Sequence, residues 1–191
     1  MSFKTYDILS SLIPGFLCLL ALLNVLDDSF DKDLVIPYTA IAFFLGFLLN
    51  TASSWLEDFY FFTWGGKPSS RLIDGKDIWK VRFYTSVKAK NLLLQDTRPN
   101  AQNDELFGAA MRLANGQKDT RVDDFNAMYA FSRSLLTTSI VGTPLLLIDH
   151  YQDWHYYAVL LPILCILWLR CKQRAYYYSR EVLNVYLKGK P

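Results

Sequence analysis

Four stretches without a charged side chain constrain this chain more than any other feature: Ile8–Leu26 (19 residues), Leu34–Leu56 (23), Ser134–Ile148 (15) and Trp154–Leu169 (16). A helix needs about 20 mainly apolar residues, with a working range of about 17–25, to cross the hydrocarbon layer of a bilayer. The first two stretches meet that length unaided, and the last two need their flanks. With 52% hydrophobic residues the 191-residue chain is too apolar for disorder, and its three Cys are too few for a disulfide-stapled secreted module. The first stretch exceeds the apolar core of a signal peptide, about 7–15 residues, and Asn24-Val25-Leu26-Asp27-Asp28 offers no small-residue cleavage site, so it reads as a retained span.

The charges sort by position. Residues 27–33 hold Asp27, Asp28, Asp31 and Asp33 against Lys32, and residues 149–153 hold Asp149 and Asp153 without a cation. From Arg170 onward six Lys and Arg face Glu181 alone. Cationic loops stay cytoplasmic, so the two short acidic loops face outward and both termini lie inside. The expected fold is all-α: a polytopic inner-membrane protein of four transmembrane helices with a small helical cytoplasmic insert between the second and third. Residues 1–64 form a first hairpin, 65–119 the insert, and 120–191 a second hairpin with a basic cytoplasmic tail. Asp119-Thr120 can cap the third helix, from about residue 120 to 148. The aromatic run Trp55, Phe59, Tyr60, Phe61, Phe62 and Trp64 reads as an inner interfacial belt, and Tyr151, Trp154, Tyr156 and Tyr157 as an outer one.

Helices in lipid are held by close packing of small residues and by hydrogen bonds. Ala42, Gly46, Asn50 and Ser54 recur every fourth residue in the second span, and Ser134, Thr138 and Gly142 in the third. The two rows pair with each other, or with copies of themselves in a homo-oligomer; alternatively the Asn50 face lines a pore. No ionisable residue lies at mid-span, which disfavours a carrier or pump. Arg133 enters the third span at the depth where Glu57 and Asp58 end the second, and a bridge to one of them is expected. Pro14-Gly15 and Gly142-Thr143-Pro144 are candidate hinges.

In the insert, Gly65-Gly66-Lys67-Pro68 breaks the second helix. Ile78, Trp79, Phe83, Val87, Asn91 and Leu94 suggest an amphipathic helix, with a short strand over residues 81–85 as the alternative. Asn103-Asp104-Glu105 starts a further helix that stops near Asn115-Gly116. Lys76, Lys80, Arg82, Lys88 and Lys90 form a cationic cluster suited to solvent, to membrane lipids or to a cytoplasmic protein partner; near-cancelling charge across residues 57–125 argues against nucleic acid. His150 and His155 with Asp149 and Asp153 read as a polar turn rather than a metal site, Cys18, Cys165 and Cys171 form no C-x-x-C pair, and no nucleotide or nucleophile motif is present. No cofactor, metal or enzymatic activity is expected.

The phrases Leu12-Ile13-Pro14-Gly15-Phe16, Trp64-Gly65-Gly66-Lys67-Pro68-Ser69, Asp124-Phe125-Asn126-Ala127-Met128-Tyr129 with Arg133-Ser134, and Tyr178-Ser179-Arg180-Glu181-Val182 resemble small uncharacterised bacterial four-span membrane proteins. The layout is similar to membrane components of antiphage defence and CRISPR accessory systems. The resemblance implies action with a separate cytoplasmic partner, as a membrane sensor or anchor, or else as a membrane-depolarising effector. A membrane-tethered enzyme is the remaining alternative.

Overall fold

The computed structural model describes residues 5–117 and 120–190, with side chains from Ser10 onward apart from Asp149; Lys4, Asp119 and its expected capping role lie outside the described residues. The described residues are helical, joined by turns and one isolated bridge between Ile78 and Val81. In chain order the α-helices are α1 (Thr5–Val25), α2 (Val35–Trp55), α3 (Glu57–Thr63), α4 (Pro68–Ile73), α5 (Ser86–Asp96), α6 (Asn103–Gly116), α7 (Val122–Asp149) and α8 (Trp154–Lys188), with a 3₁₀ turn over Lys32–Leu34. Three helical stretches, Lys32–Trp55, Val122–Ile148 and Trp154–Lys188, are long and apolar enough to cross a membrane, and Ser10–Val25 adds a shorter apolar one. This is a helical, multi-span type of membrane protein.

The chain forms two compact units. The first comprises Met1–Glu57 and Ala130–Cys171. Here α1 and α2 meet backbone to backbone: a Cβ on Gly15 would collide with the Ala42 carbonyl, and one on Gly46 with the Ser11 carbonyl. Glycine is needed at both crossing points because any side chain would force the helices apart. Leu19, Leu23, Tyr38 and Ala42 close the contact, flanked by Leu12, Phe16 and Leu45. Phe30 in the intervening loop lies 5.0 Å from the Tyr38 ring. Pro14 and Pro144 both lie within uninterrupted helices. The apolar half of α8 keeps Val159 and Ile166 outward, as a lipid-facing surface would.

The second unit comprises Asp58–Tyr129 and Lys172–Pro191. Its core joins Leu72, Ile73, Val81, Phe83, Leu93, Leu106, Ala110 and Val122 to Tyr176, Val182, Leu183 and Tyr186. The sequence reading set residues 65–119 apart from a basic tail; in the structure the residues after 171 supply one wall of the same core.

Two expectations are corrected here. Residues 78–94 are neither one amphipathic helix nor a strand. Gly75 and Lys80 have positive φ (72° and 69°), which breaks helical repetition, and α5 starts only at Ser86. Trp79 and Val87 consequently face outward while Val81 and Phe83 turn in, with the Phe83 amide donating to Asp77 Oδ1 at 3.1 Å. The aromatic belt also divides: Phe59 and Phe62 are exposed, but Tyr60 and Trp64 are buried with their rings stacked 6.2 Å apart.

Candidate functional site

Arg133 is the ionisable residue set deepest in the apolar stretch of α7, and its guanidinium organises the polar contacts of the first unit. Nη1 donates to Glu57 Oε2 at 2.6 Å, Nε to Ser53 Oγ at 3.2 Å and Nη2 to Ser54 Oγ at 3.0 Å. Next to it, Ser134 Oγ donates to Asn50 Oδ1 at 3.2 Å. The Arg133 side chain is 11% exposed and that of Glu57 29%, so the pair is shielded enough for its charges to matter to each other. A guanidinium offers five donors in a fixed fork, which matches one carboxylate and two hydroxyls on adjacent turns of α2 and α3. Asp58 is exposed and belongs to the second unit.

The two small-residue rows therefore meet in part. Asn50, Ser53 and Ser54 face α7, whereas Ala42 and Gly46 face α1. In α7, Thr138 returns its hydroxyl to the Ser134 carbonyl at 2.9 Å, and Gly142 lies opposite Ala21 of α1. Each polar side chain in this seam is engaged with protein, the arrangement of a packing contact.

Lys90 donates to Asp74 Oδ1 at 2.7 Å, and that bond, helped by the Asn103 amide at 3.0 Å, holds the Asp74 carboxyl below the usual carboxylate range. Lys80 lies over the Trp79 ring, 4.2 Å from its centre. Lys76, Arg82 and Lys88 are exposed. Trp79, Tyr84 and Val87 stand among these cations, each more than two thirds exposed.

A second constellation, in the same unit, was not singled out in the sequence. The Gly65-Gly66 turn, both residues at positive φ (79° and 120°), wraps the Arg71 side chain, and Arg71 Nη1 donates to the Gly65 carbonyl at 2.9 Å. Arg71 Nε and the Trp64 indole Nε1 are buried without a hydrogen-bond partner, and the buried Tyr176 hydroxyl interacts with the Arg71 guanidinium through its charge and a side-chain hydrogen bond. The Arg71 charge acts on both Tyr176 and Lys172. The readable signal was the four-residue step from Lys172 to Tyr176, which puts both on one face of α8.

His150 and His155 lie tilted against the Tyr156 and Trp154 rings, with ring centres 4.0 and 4.2 Å apart. Among the described residues no group of three or more His, Cys, Asp or Glu side chains is placed to hold a metal. No family model, curated protein or solved structure matches the chain.

Proposed function

We propose that the chain is a four-span inner-membrane protein, with both termini and the Gly65–Gly116 region cytoplasmic, that acts as a homo-oligomeric sensor or anchor for a cytoplasmic protein partner and performs no catalysis of its own. Membership of an antiphage defence system is part of this reading. The observation that carries it is the continuity of α7 and α8. Each helix contributes its apolar length to the first unit and its remaining turns to the core of the second, without a break in the helix. At 21 residues α1 is about 31 Å long, enough for a fourth crossing. The engagement of Asn50, Ser53 and Ser54 by Arg133 and Ser134 supports a packed seam over a pore lining.

Reporter fusions test the topology. A reporter active only outside the cytoplasm is expected to work after residues 30 and 152 and to fail after residues 100 and 190; activity after residue 100 overturns the reading. For the partner, photo-crosslinking residues placed at Trp79 and Tyr84 are expected to trap one cytoplasmic protein, with trapping lost when Lys80 and Lys88 become Gln. Light scattering in detergent reads the oligomer, and a strict monomer contradicts it.

A further inference from the structure

Some cations of the second unit are neutralised and others are not. Lys67, Lys90, Arg98 and Lys190 each pair with a carboxylate. Among the described residues Lys80, Arg121 and Arg180 make no ion pair and lie on aromatic rings instead. Lys80 Nζ is 4.2 Å from the centre of the Trp79 ring, and the guanidinium carbons of Arg121 and Arg180 are each 5.0 Å from the centres of Phe125 and Tyr177. Spacing explains the two arginines: Arg121 stands four residues before Phe125 at the entry to α7, and Arg180 three residues after Tyr177 on α8, separations that put both members of a pair on one helix face. The Phe125 and Tyr177 rings meet with their centres 6.2 Å apart, and the Tyr177 hydroxyl donates to the Lys80 carbonyl at 3.4 Å. One run of contacts thus joins Trp79 and Lys80 to Tyr177, Phe125 and the two arginines, all within the second unit. Asp123 and Asp124 follow Arg121 in sequence without pairing to it, and Arg180 Nε is buried without an acceptor.

We propose that this face docks an acidic segment of the cytoplasmic protein partner, with Arg121 and Arg180 as its carboxylate-binding points and Trp79 as its apolar anchor. A guanidinium held on a ring is ordered in advance, and its planar fork can give two N–H groups to one carboxylate. Trp, Tyr and Arg are the residues that carry most of the binding energy at protein interfaces, and Trp79 stands 84% exposed beside its cation. Single-stranded nucleic acid is gripped by open ring faces, whereas each of these three rings already carries a cation. A lipid surface is met by side chains that can enter the headgroup layer, and Phe125, Tyr177 and Arg180 are half-buried. An acidic polypeptide needs only cations fixed at set positions with an exposed aromatic residue among them. The docking role rests on the cytoplasmic partner proposed above; the affinity for acidic polypeptide does not.

The test uses the full chain purified in a neutral detergent at low salt, where surface charges are least screened and topology plays no part. Fluorescence anisotropy follows a labelled peptide of alternating Glu and Gly, its Gln-Gly counterpart and a labelled oligothymidine, with dioleoylphosphatidylglycerol as a lipid competitor. The expected result is saturable binding of the Glu peptide, tighter than that of the other two. Its affinity should fall about tenfold in Arg121→Gln and in Arg180→Gln, the loss of one interface hot spot each, and stay unchanged in Lys32→Gln. Arg121→Lys keeps the charge but not the planar fork, and should also bind more weakly than wild type. Arg121 is exposed, so its two variants keep the test sound if Arg180→Gln fails to fold. Absence of Glu-peptide binding overturns the proposal, as does wild-type affinity in Arg121→Gln or Arg121→Lys. Tighter binding of oligothymidine, or displacement of the peptide by phosphatidylglycerol, overturns it in favour of nucleic acid or lipid. Peptide binding together with reporter activity after residue 100 supports the surface and removes the cytoplasmic placement of its partner. The expected topology without peptide binding removes the surface alone.

Discussion

Gly46 of α2 lies against the backbone of Ser11 in α1, so close that a single added carbon at residue 46 would overlap the Ser11 carbonyl oxygen. Gly15 makes the reciprocal contact with Ala42. Gly46→Ala or Gly15→Ala should destabilise the first unit by about 1–3 kcal/mol, the range for overpacking a close-packed contact. Gly142→Ala should be mild, because its nearest neighbour across the gap, Ala21 Cβ, is 3.9 Å from the position of an added Cβ. Unfolding midpoints of the three variants in mixed detergent micelles check the order.

Arg133 and Glu57 should behave as a pair whose halves are worse alone than absent together. Removing one member of a shielded pair strands the other charge, at a cost that reaches about 3 kcal/mol, whereas replacing both with apolar residues is often close to neutral. Arg133→Met and Glu57→Met are each expected to lower stability more than the double variant does. A double-mutant cycle measures the coupling, and strict additivity would contradict the pairing.

The second unit should lose stability in acid for an identified reason. Lys190 Nζ donates to Asp96 Oδ1 at 2.7 Å and Tyr186 donates to Oδ2 at 2.6 Å, and these bonds hold the Asp96 carboxyl below its ordinary value of 3.8. Asp74 is lowered likewise by Lys90. With the folded value depressed, the unfolded chain binds more protons between the two values. The contribution is therefore complete above about pH 4 and disappears as pH falls through the folded value. Amide exchange of α5 and the last turns of α8, followed from pH 6 to pH 3, should accelerate at the acid end beyond the intrinsic rate. Asp96→Asn should flatten that dependence.

Apolar residues of the second unit divide into those that hold it and those that do not. Leu93→Ala and Leu183→Ala each empty a fully buried position and should cost about 2–5 kcal/mol. Trp79→Ala, at a position 84% exposed, should stay within about 0.5 kcal/mol. Denaturant midpoints compare them directly.

How far the sequence disclosed these features follows from the physics of each. The Arg133 contact with Glu57 was legible because a lone cation in an apolar helix has few ways to reduce its desolvation, and a carboxylate stood at matching depth. The row Ala42, Gly46, Asn50 and Ser54 was legible as a row but not in its partners. Positions four apart drift about 40° around the helix at each step, so the row turns about 120° and passes from α1 to α7. The reading of Trp79 and Val87 as inward failed because it assumed an unbroken helical period through Lys80, whose left-handed backbone no pattern announces. The role of residues beyond 171 was obscured by their charge. Counting cations described the outside of α8, whereas Tyr176, Ser179, Leu183 and Tyr186, spaced three or four apart, described the inside. Arg71 escaped notice, and Trp64 was legible only as part of an aromatic belt, because a buried donor has no spacing rule in sequence.

The core that joins Leu93 and Leu106 to Leu183 and Tyr186 also sets a timetable. About 70 residues separate the end of α6 from Tyr186, so at about 5–20 residues per second the ribosome needs several seconds to supply the missing wall. During that interval α4, α5 and α6 expose apolar surface, and the apolar lengths of α7 and α8 are made in the meantime. The second unit can close only after both have been synthesised. Its folding thus acts as a checkpoint on biogenesis: a chain whose last helices go astray leaves an open, protease-sensitive domain.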